Sequence, residues 1–171
     1  MSTLRGLSRR LVAEATRKGL TIGVAESLTG GMIASAIAGI PGASRVLTGG
    51  VVCYGSSVKH QLLGISADII QDPGVLSEPC AKQMAAGVQL LLGTDVAVSA
   101  TGLAGPGGGT LGTPVGTVFV GVVGQGSPTA TRLYFHGGRL AVRRKAAKQA
   151  LFMLLETIGC FDIALAKQEQ I

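Results

Sequence analysis

Apolar residues recur along this chain in two alternating patterns. Leu4, Leu7, Leu11 and Ala15 repeat every three or four residues, which places them on one face of a helix over about 3–18. The run Leu20-Thr21-Ile22-Gly23-Val24-Ala25 is short and nearly continuous, and predicts a strand over 20–26. Met32 to Ala38 returns to helical spacing within a helix over 29–39, ended by Gly39-Ile40-Pro41-Gly42. A strand over about 45–54 carries Val46-Leu47 and Val51-Val52-Cys53-Tyr54, and a short helix starting near Ser56 or Ser57 stops at Gly64. Residues 66–76 read as a connection with Asp72-Pro73-Gly74 as its turn.

Ser77-Glu78-Pro79 then opens a helix with a serine cap and a proline in the first turn, running through Met84, Val88, Leu91 and Leu92 to Gly93. Residues 95–100 form a strand, followed by a loop from Thr101 to Pro114. Strands at about 115–124 and 129–136 flank Gln125-Gly126-Ser127-Pro128, too short a connection for anything but an antiparallel pair. A final helix covers about 139–158, leaving a tail over about 160–171. Strands separated by helices, with one hairpin, predict the α/β class: a single three-layer α/β/α domain over 1–171 with a mixed, mostly parallel sheet.

Composition supports this picture. The 171 residues are 47% hydrophobic but only 4% aromatic, with 27 glycines and no tryptophan, so Val, Ile, Leu and Ala must fill the core. So few aromatics leave little to stack on single-stranded nucleic acid. The net charge of +6 is concentrated at the two ends, in Arg5, Arg9, Arg10, Arg17 and Lys18 and again from Arg132 to Lys148. A small anionic substrate needs only two or three of these cations, and no recognisable nucleic-acid-binding motif accompanies them. The arginine-rich start looks superficially like a transit peptide, but its apolar stripe runs straight into the first strand and reads as a docked helix. No segment is apolar over a bilayer-spanning length. Cys53, Cys80 and Cys160 are odd in number and widely spaced, which fits a reducing, cytoplasmic setting without a disulfide framework. His60 and His136 lack ligand-like spacing, so a structural or catalytic metal is not expected.

Three segments concentrate candidate chemistry. Glu26-Ser27-Leu28-Thr29-Gly30-Gly31 is a hydroxyl-rich, glycine-ended turn between strand and helix. It can hold a nucleophile, an oxyanion or a phosphate, because orphan helix N–H groups point outward there; Ser27 and Thr29 can equally serve as caps. Its spacing is not the G-x-S-x-G elbow. In Tyr54-Gly55-Ser56-Ser57-Val58-Lys59, Lys59 falls in the first turn of a helix, where the dipole disfavours a cation. A lysine facing a dry cleft there loses its proton readily and can activate a serine. The third segment, Thr101-Gly102-Leu103-Ala104-Gly105-Pro106 with three further glycines, follows a strand and allows backbone to approach a ligand. Arg139 and Arg143, four apart near the start of the last helix, repel each other and oppose its dipole, two costs that an anion such as phosphate would relieve.

Together these residues resemble the nicotinamide-nucleotide amidase family, the CinA C-terminal-domain proteins. The resemblance spans roughly 8–158 and rests on several motifs in order: Ala25-Glu26-Ser27-Leu28-Thr29-Gly30-Gly31, Pro41-Gly42-Ala43-Ser44, Gly50-Val51-Val52-Cys53-Tyr54 with Lys59, Gly74-Val75-Leu76-Ser77, the Thr101 to Pro106 segment, Pro114-Val115-Gly116-Thr117-Val118, and the two arginines. Leu28 stands where the family usually has cysteine, Gly55-Ser56-Ser57 replaces its usual Ser-Asn pair, and Thr113 stands where lysine is common. The resemblance implies hydrolysis of the carboxamide of nicotinamide mononucleotide to nicotinate mononucleotide and ammonia, without metal or cofactor, by a protein that forms a homodimer or larger homo-oligomer. It implies Ser27 as nucleophile, Lys59 as general base and Tyr54 as an aid to proton transfer or positioning. Glu26, Thr29, Gly30, Gly31, Thr101, Gly102 and Gly105 would shape the substrate site, and Arg143 with Arg139 would hold the phosphate. On that division of labour Ser27 takes the attacking role, and capping passes to Thr29.

Overall fold

The computed structural model describes residues 3–159; the expected tail over 160–171, and Cys160 with it, lies outside the described residues. In chain order the elements are α1 (Leu4–Lys18), β1 (Ile22–Glu26), α2 (Met32–Ala38), β2 (Leu47–Val52), α3 (Ser56–Leu63), α4 (Ala67–Gln71), α5 (Glu78–Leu92), β3 (Val96–Gly102), β4 (Thr117–Val123), β5 (Thr129–Tyr134) and α6 (Arg139–Thr157). A 3-10 turn at Ala43–Arg45 precedes β2.

The strands form one sheet in the order β2-β1-β3-β4-β5. β1 pairs in parallel with β2 and β3, whereas the β3–β4 and β4–β5 pairs are antiparallel. The sheet is thus mixed, and four of its five strands run in the same direction because two antiparallel steps restore it at β5. Every residue of β1 and β4, and all of β3 but its last, is buried, as expected for central strands covered on both faces. The edge strands β2 and β5 are only intermittently covered.

Two apolar clusters lie on the two faces. One joins Leu7, Leu11 and Ala15 of α1 and Ile33 and Ile37 of α2 to Val142, Leu151 and Leu154 of α6 against Val24, Val98 and Val120. The other joins Cys80, Met84 and Val88 of α5 and Leu63 of α3 to Ala25 and Ala97. The N-terminal stripe is therefore docked, with Thr3 capping α1 through the Gly6 N–H. Ser77 caps α5 as its sequence predicts.

Two expectations are corrected. The segment over 66–76 is not merely a connection: Ser66 accepts from the Ile69 N–H and starts the one-turn-plus helix α4. Helix α2 begins at Met32 rather than near Thr29, because the intervening residues form a turn with Gly30 and Gly31 at positive φ.

This arrangement decides where a site can form. The chain leaves β1 for β2 on one side and later returns to β3 on the other, so the carboxyl ends of β1 and β3 lie side by side where the strand order reverses. That crevice is the usual ligand position in open α/β sheets.

Candidate active site

Ser27 directly extends β1, and its N–H donates to the Ala100 carbonyl of β3 at 2.9 Å. Lys59 comes from α3, whose first turn places the side chain beneath the same crevice. Its Nζ lies 3.2 Å from Ser27 Oγ, 2.8 Å from the Cys53 carbonyl and 3.1 Å from the Tyr54 carbonyl. The lysine is only 1% exposed and the serine 8%. Burial pulls the Lys59 ammonium below its usual value of 10.5, with nearby Cys53, Cys80 and Tyr54 opposing that shift. Nζ donates to the two carbonyls, which fix it within hydrogen-bond reach of the Ser27 hydroxyl. The sequence marks Lys59 as a cation in a first helical turn and the family resemblance pairs it with Ser27; in the structure α3 and β1 bring the two side chains together.

Around the pair is a cleft of about 240 Å³ lined by Ser27, Leu28, Tyr54, Lys59, Val75, Leu76, Thr101, Gly102, Leu103, Ala104 and Arg139. Its walls are largely aliphatic, with the serine, the lysine and the arginine converging on it, the composition expected of a small-ligand site. Val75, Leu76, Leu103 and Ala104 stand within sequence motifs but are not among the expected site residues, since an aliphatic side chain carries no chemical signal of its own. Thr101 is buried, and its hydroxyl donates to the Val75 carbonyl at 2.9 Å, so it fixes the wall formed by Val75 and Leu76. Gly102 lies so close to β4 that an added Cβ would stand 2.7 Å from the Thr117 carbonyl. Tyr54 lines the cleft and is largely exposed, its phenol accepting from Arg139 Nη2 at 2.7 Å. Arg139 Nη1 donates to the Gly105 carbonyl at 2.7 Å, tying the glycine-rich loop to α6.

Residues 4–158 match the family model of the CinA C-terminal domain. The chain belongs to the CinA C-terminal domain family. A CinA-like protein of Gemmatimonas aurantiaca is 43% identical over 145 residues, which cover 85% of this chain and 34% of that protein. A CinA-like protein of Thermotoga maritima is 44% identical over 131 residues, covering 77% of this chain and 32% of that protein. The chain thus spans about a third of the length of these curated relatives. Among solved structures, the competence/damage inducible protein CihA from Agrobacterium tumefaciens superposes with a TM-score of 0.88 at 35% identity, covering 90% of this chain and 94% of that one. A CinA superfamily protein from Escherichia coli gives 0.87 at 30% identity over 91% of this chain and 90% of that one.

Several expected site residues of this CinA domain have other partners. Glu26 is 1% exposed and does not line the cleft. Its Oε2 accepts from the N–H groups of Gly31 and Ile33 at 2.9 and 3.1 Å, and its Oε1 from Ala34 at 2.9 Å. A buried carboxylate therefore caps α2 and occupies the N–H groups that a phosphate would otherwise need there. This corrects the assignment of capping to Thr29: α2 starts too late for its hydroxyl to reach, and Thr29 Oγ1 is buried without a hydrogen-bond partner. Gly30 and Gly31 shape the turn but do not line the cleft, and neither does Arg143. Leu28, by contrast, does line it while also joining the α1–α2–α6 cluster, so the family's usual cysteine position is part of the cleft wall.

The neighbouring thiols are not competing nucleophiles. Burial raises Cys53 and pushes Cys80 up to about 11, which keeps both protonated near neutrality. Among the described residues, no three His, Cys, Asp or Glu side chains gather as a metal site, and no helix is long and apolar enough to cross a membrane.

Proposed function

We propose that this chain is an amidase that converts nicotinamide mononucleotide to nicotinate mononucleotide and ammonia, with Ser27 as nucleophile and Lys59 as base. The observation that carries the reading is the buried Lys59 Nζ, held by two carbonyls and 3.2 Å from Ser27 Oγ. Neutral Lys59 takes the Ser27 proton as Oγ attacks the carboxamide carbon. The carbonyl oxygen becomes an oxyanion beside the N–H group of Leu28, which lines the cleft and has no protein acceptor among the described residues. Protonated Lys59 then gives its proton to the departing nitrogen, so ammonia leaves and an acyl ester remains on Ser27. A water, deprotonated by the same amine, attacks that ester; nicotinate mononucleotide leaves and the serine regains its proton.

The aliphatic walls suit a flat pyridine ring. For the phosphate, Arg139 is the favoured partner, because it lines the cleft at the first position of α6. That helix has no side-chain cap and no acid in its first turn, leaving its N–H groups open to an anion. The substrate, a homo-oligomeric state and the cytoplasmic setting belong to this proposal rather than to the family assignment.

Incubating the protein with nicotinamide mononucleotide, its dephosphorylated riboside and free nicotinamide, and measuring ammonia, tests the reading. Release is expected from the mononucleotide, and much less from the other two. Binding of the mononucleotide without ammonia would instead make this a nucleotide-binding module. Release from unrelated small amides alone would assign another substrate to the same chemistry.

A further inference from the structure

Arg139 and Arg143 lie one helical turn apart on α6, but only the first is left for a ligand. The Arg143 guanidinium is engaged by the Ser27 turn: Nε donates to the Leu28 carbonyl at 2.8 Å and Nη2 to the Thr29 carbonyl at 2.9 Å. Arg139 lines the cleft, no carboxylate lines it with the arginine, and Arg139 has no ion-pair partner among the described residues. Its positive charge is unbalanced there, and an anionic group on a ligand would answer it.

An exposed arginine at the first position of a helix ordinarily samples many rotamers. This one is held at both ends of its fork. Nη1 donates to the Gly105 carbonyl at 2.7 Å and Nη2 to the Tyr54 hydroxyl at 2.7 Å. The two contacts fix the plane of the guanidinium and leave its other N–H groups for a ligand. Gly105 contributes main chain to this clamp; Tyr54 contributes a side chain.

Tyr54 meets the proposed catalytic pair differently. Lys59 Nζ donates to its carbonyl at 3.1 Å, a main-chain contact that no side-chain substitution removes. Nζ also lies 3.2 Å from Ser27 Oγ, close enough to take the proton without a relay. We propose that Tyr54 is a positioning residue: its hydroxyl holds Arg139 at the cleft for an anionic group of the substrate, and it takes no part in proton transfer at Ser27. Of the two roles that the family resemblance leaves open for Tyr54, positioning is the one its contacts serve. The inference rests on the reading of the chain as an amidase of nicotinamide mononucleotide, whose phosphate supplies the anion.

The test compares Tyr54→Phe, Arg139→Met and the double variant with wild type on nicotinamide mononucleotide and its riboside, with thermal melting to confirm that each is folded. Tyr54→Phe is expected to raise KM for the mononucleotide about tenfold while kcat stays within about threefold. The preference for the mononucleotide over the riboside should narrow by about the same factor. On top of Arg139→Met, Tyr54→Phe should add less than about twofold, since the hydroxyl acts only through that arginine. A kcat reduced more than about 30-fold at unchanged KM overturns the proposal, because it marks a proton carrier. Equal losses on both substrates, or a full tenfold loss on top of Arg139→Met, overturn it too.

A second measurement does not depend on turnover. Calorimetry reads binding of the mononucleotide and of the riboside to Ser27→Ala, with and without Tyr54→Phe. The added substitution is expected to weaken the mononucleotide about tenfold and to change the riboside by less than about twofold. Equal weakening of both ligands, or of neither, overturns the proposal, as does a protein that binds no mononucleotide. If wild type releases no ammonia but this binding difference is seen, the amidase reading fails while the role of Tyr54 stands.

Discussion

The proposed chemistry turns on Lys59, whose environment gives a signed expectation for pH. Burial lowers its pKa from 10.5, so the neutral base forms at a pH where a solvated lysine is still charged. kcat/KM should therefore rise with pH along a limb governed by a single ionisation below 10.5, then level off. The same shift acts on stability. Between the lowered folded value and 10.5 the unfolded chain binds more protons, so stability grows as pH rises through that window and is lost as pH falls through the folded value. A pH–rate profile that stays flat until the ordinary lysine range would contradict the assignment. Glu26 makes a separate prediction. Glu26→Ala leaves the N–H groups of Gly31, Ile33 and Ala34 without their acceptor. That should cost about 3 kcal/mol in urea unfolding, well beyond an ordinary cap deletion. A cost within about 0.5 kcal/mol, the range of an indifferent surface change, would show the carboxylate to be dispensable.

At the scale of elements, the site depends on how closely α3 rests on α5. An added Cβ on Gly87 of α5 would lie 2.1 Å from the Leu63 carbonyl at the end of α3, so nothing larger than glycine fits without moving that helix. Gly87→Ala is expected to destabilise the fold by about 2 kcal/mol. Because α3 carries Lys59, kcat should also fall by at least about tenfold in protein that remains folded, and steady-state kinetics beside thermal melting would check both effects. Unchanged kinetics would mean that α3 relaxes without carrying Lys59 away from Ser27.

The elements also mark how far sequence could be read. Strands, helices and the antiparallel hairpin follow from apolar spacing and turn residues, and Ser77 with Pro79 marks the start of α5 to the residue. Helix α4 was missed because five residues leave no periodicity to detect. The start of α2 was misplaced because its cap is Glu26, a carboxylate five to eight residues upstream of the N–H groups it serves, and local cap patterns look only two or three residues away. The contacts of Arg143 with Leu28 and Thr29 span more than a hundred residues and had no local signal at all.

Over the whole molecule, two apolar clusters clamp the sheet from its two faces and leave the carboxyl ends of β1 and β3 as its open edge. One face supplies α6 with Arg139 and Arg143; the other supplies α3 with Lys59. The Ser27 turn sits between them, so the candidate site draws on both layers and exists only when the sheet is assembled. That three-layer division explains how a chain poor in aromatic residues and histidines can still build an aliphatic-walled cleft with a polar centre. The central claim is that Ser27 attacks and Lys59 activates it. Ammonia release from nicotinamide mononucleotide by wild type and by Ser27→Ala, measured side by side, tests it most directly. The account predicts release by the wild type and a loss of at least about 1,000-fold in the variant; a Ser27→Ala protein that releases ammonia at the wild-type rate would contradict it.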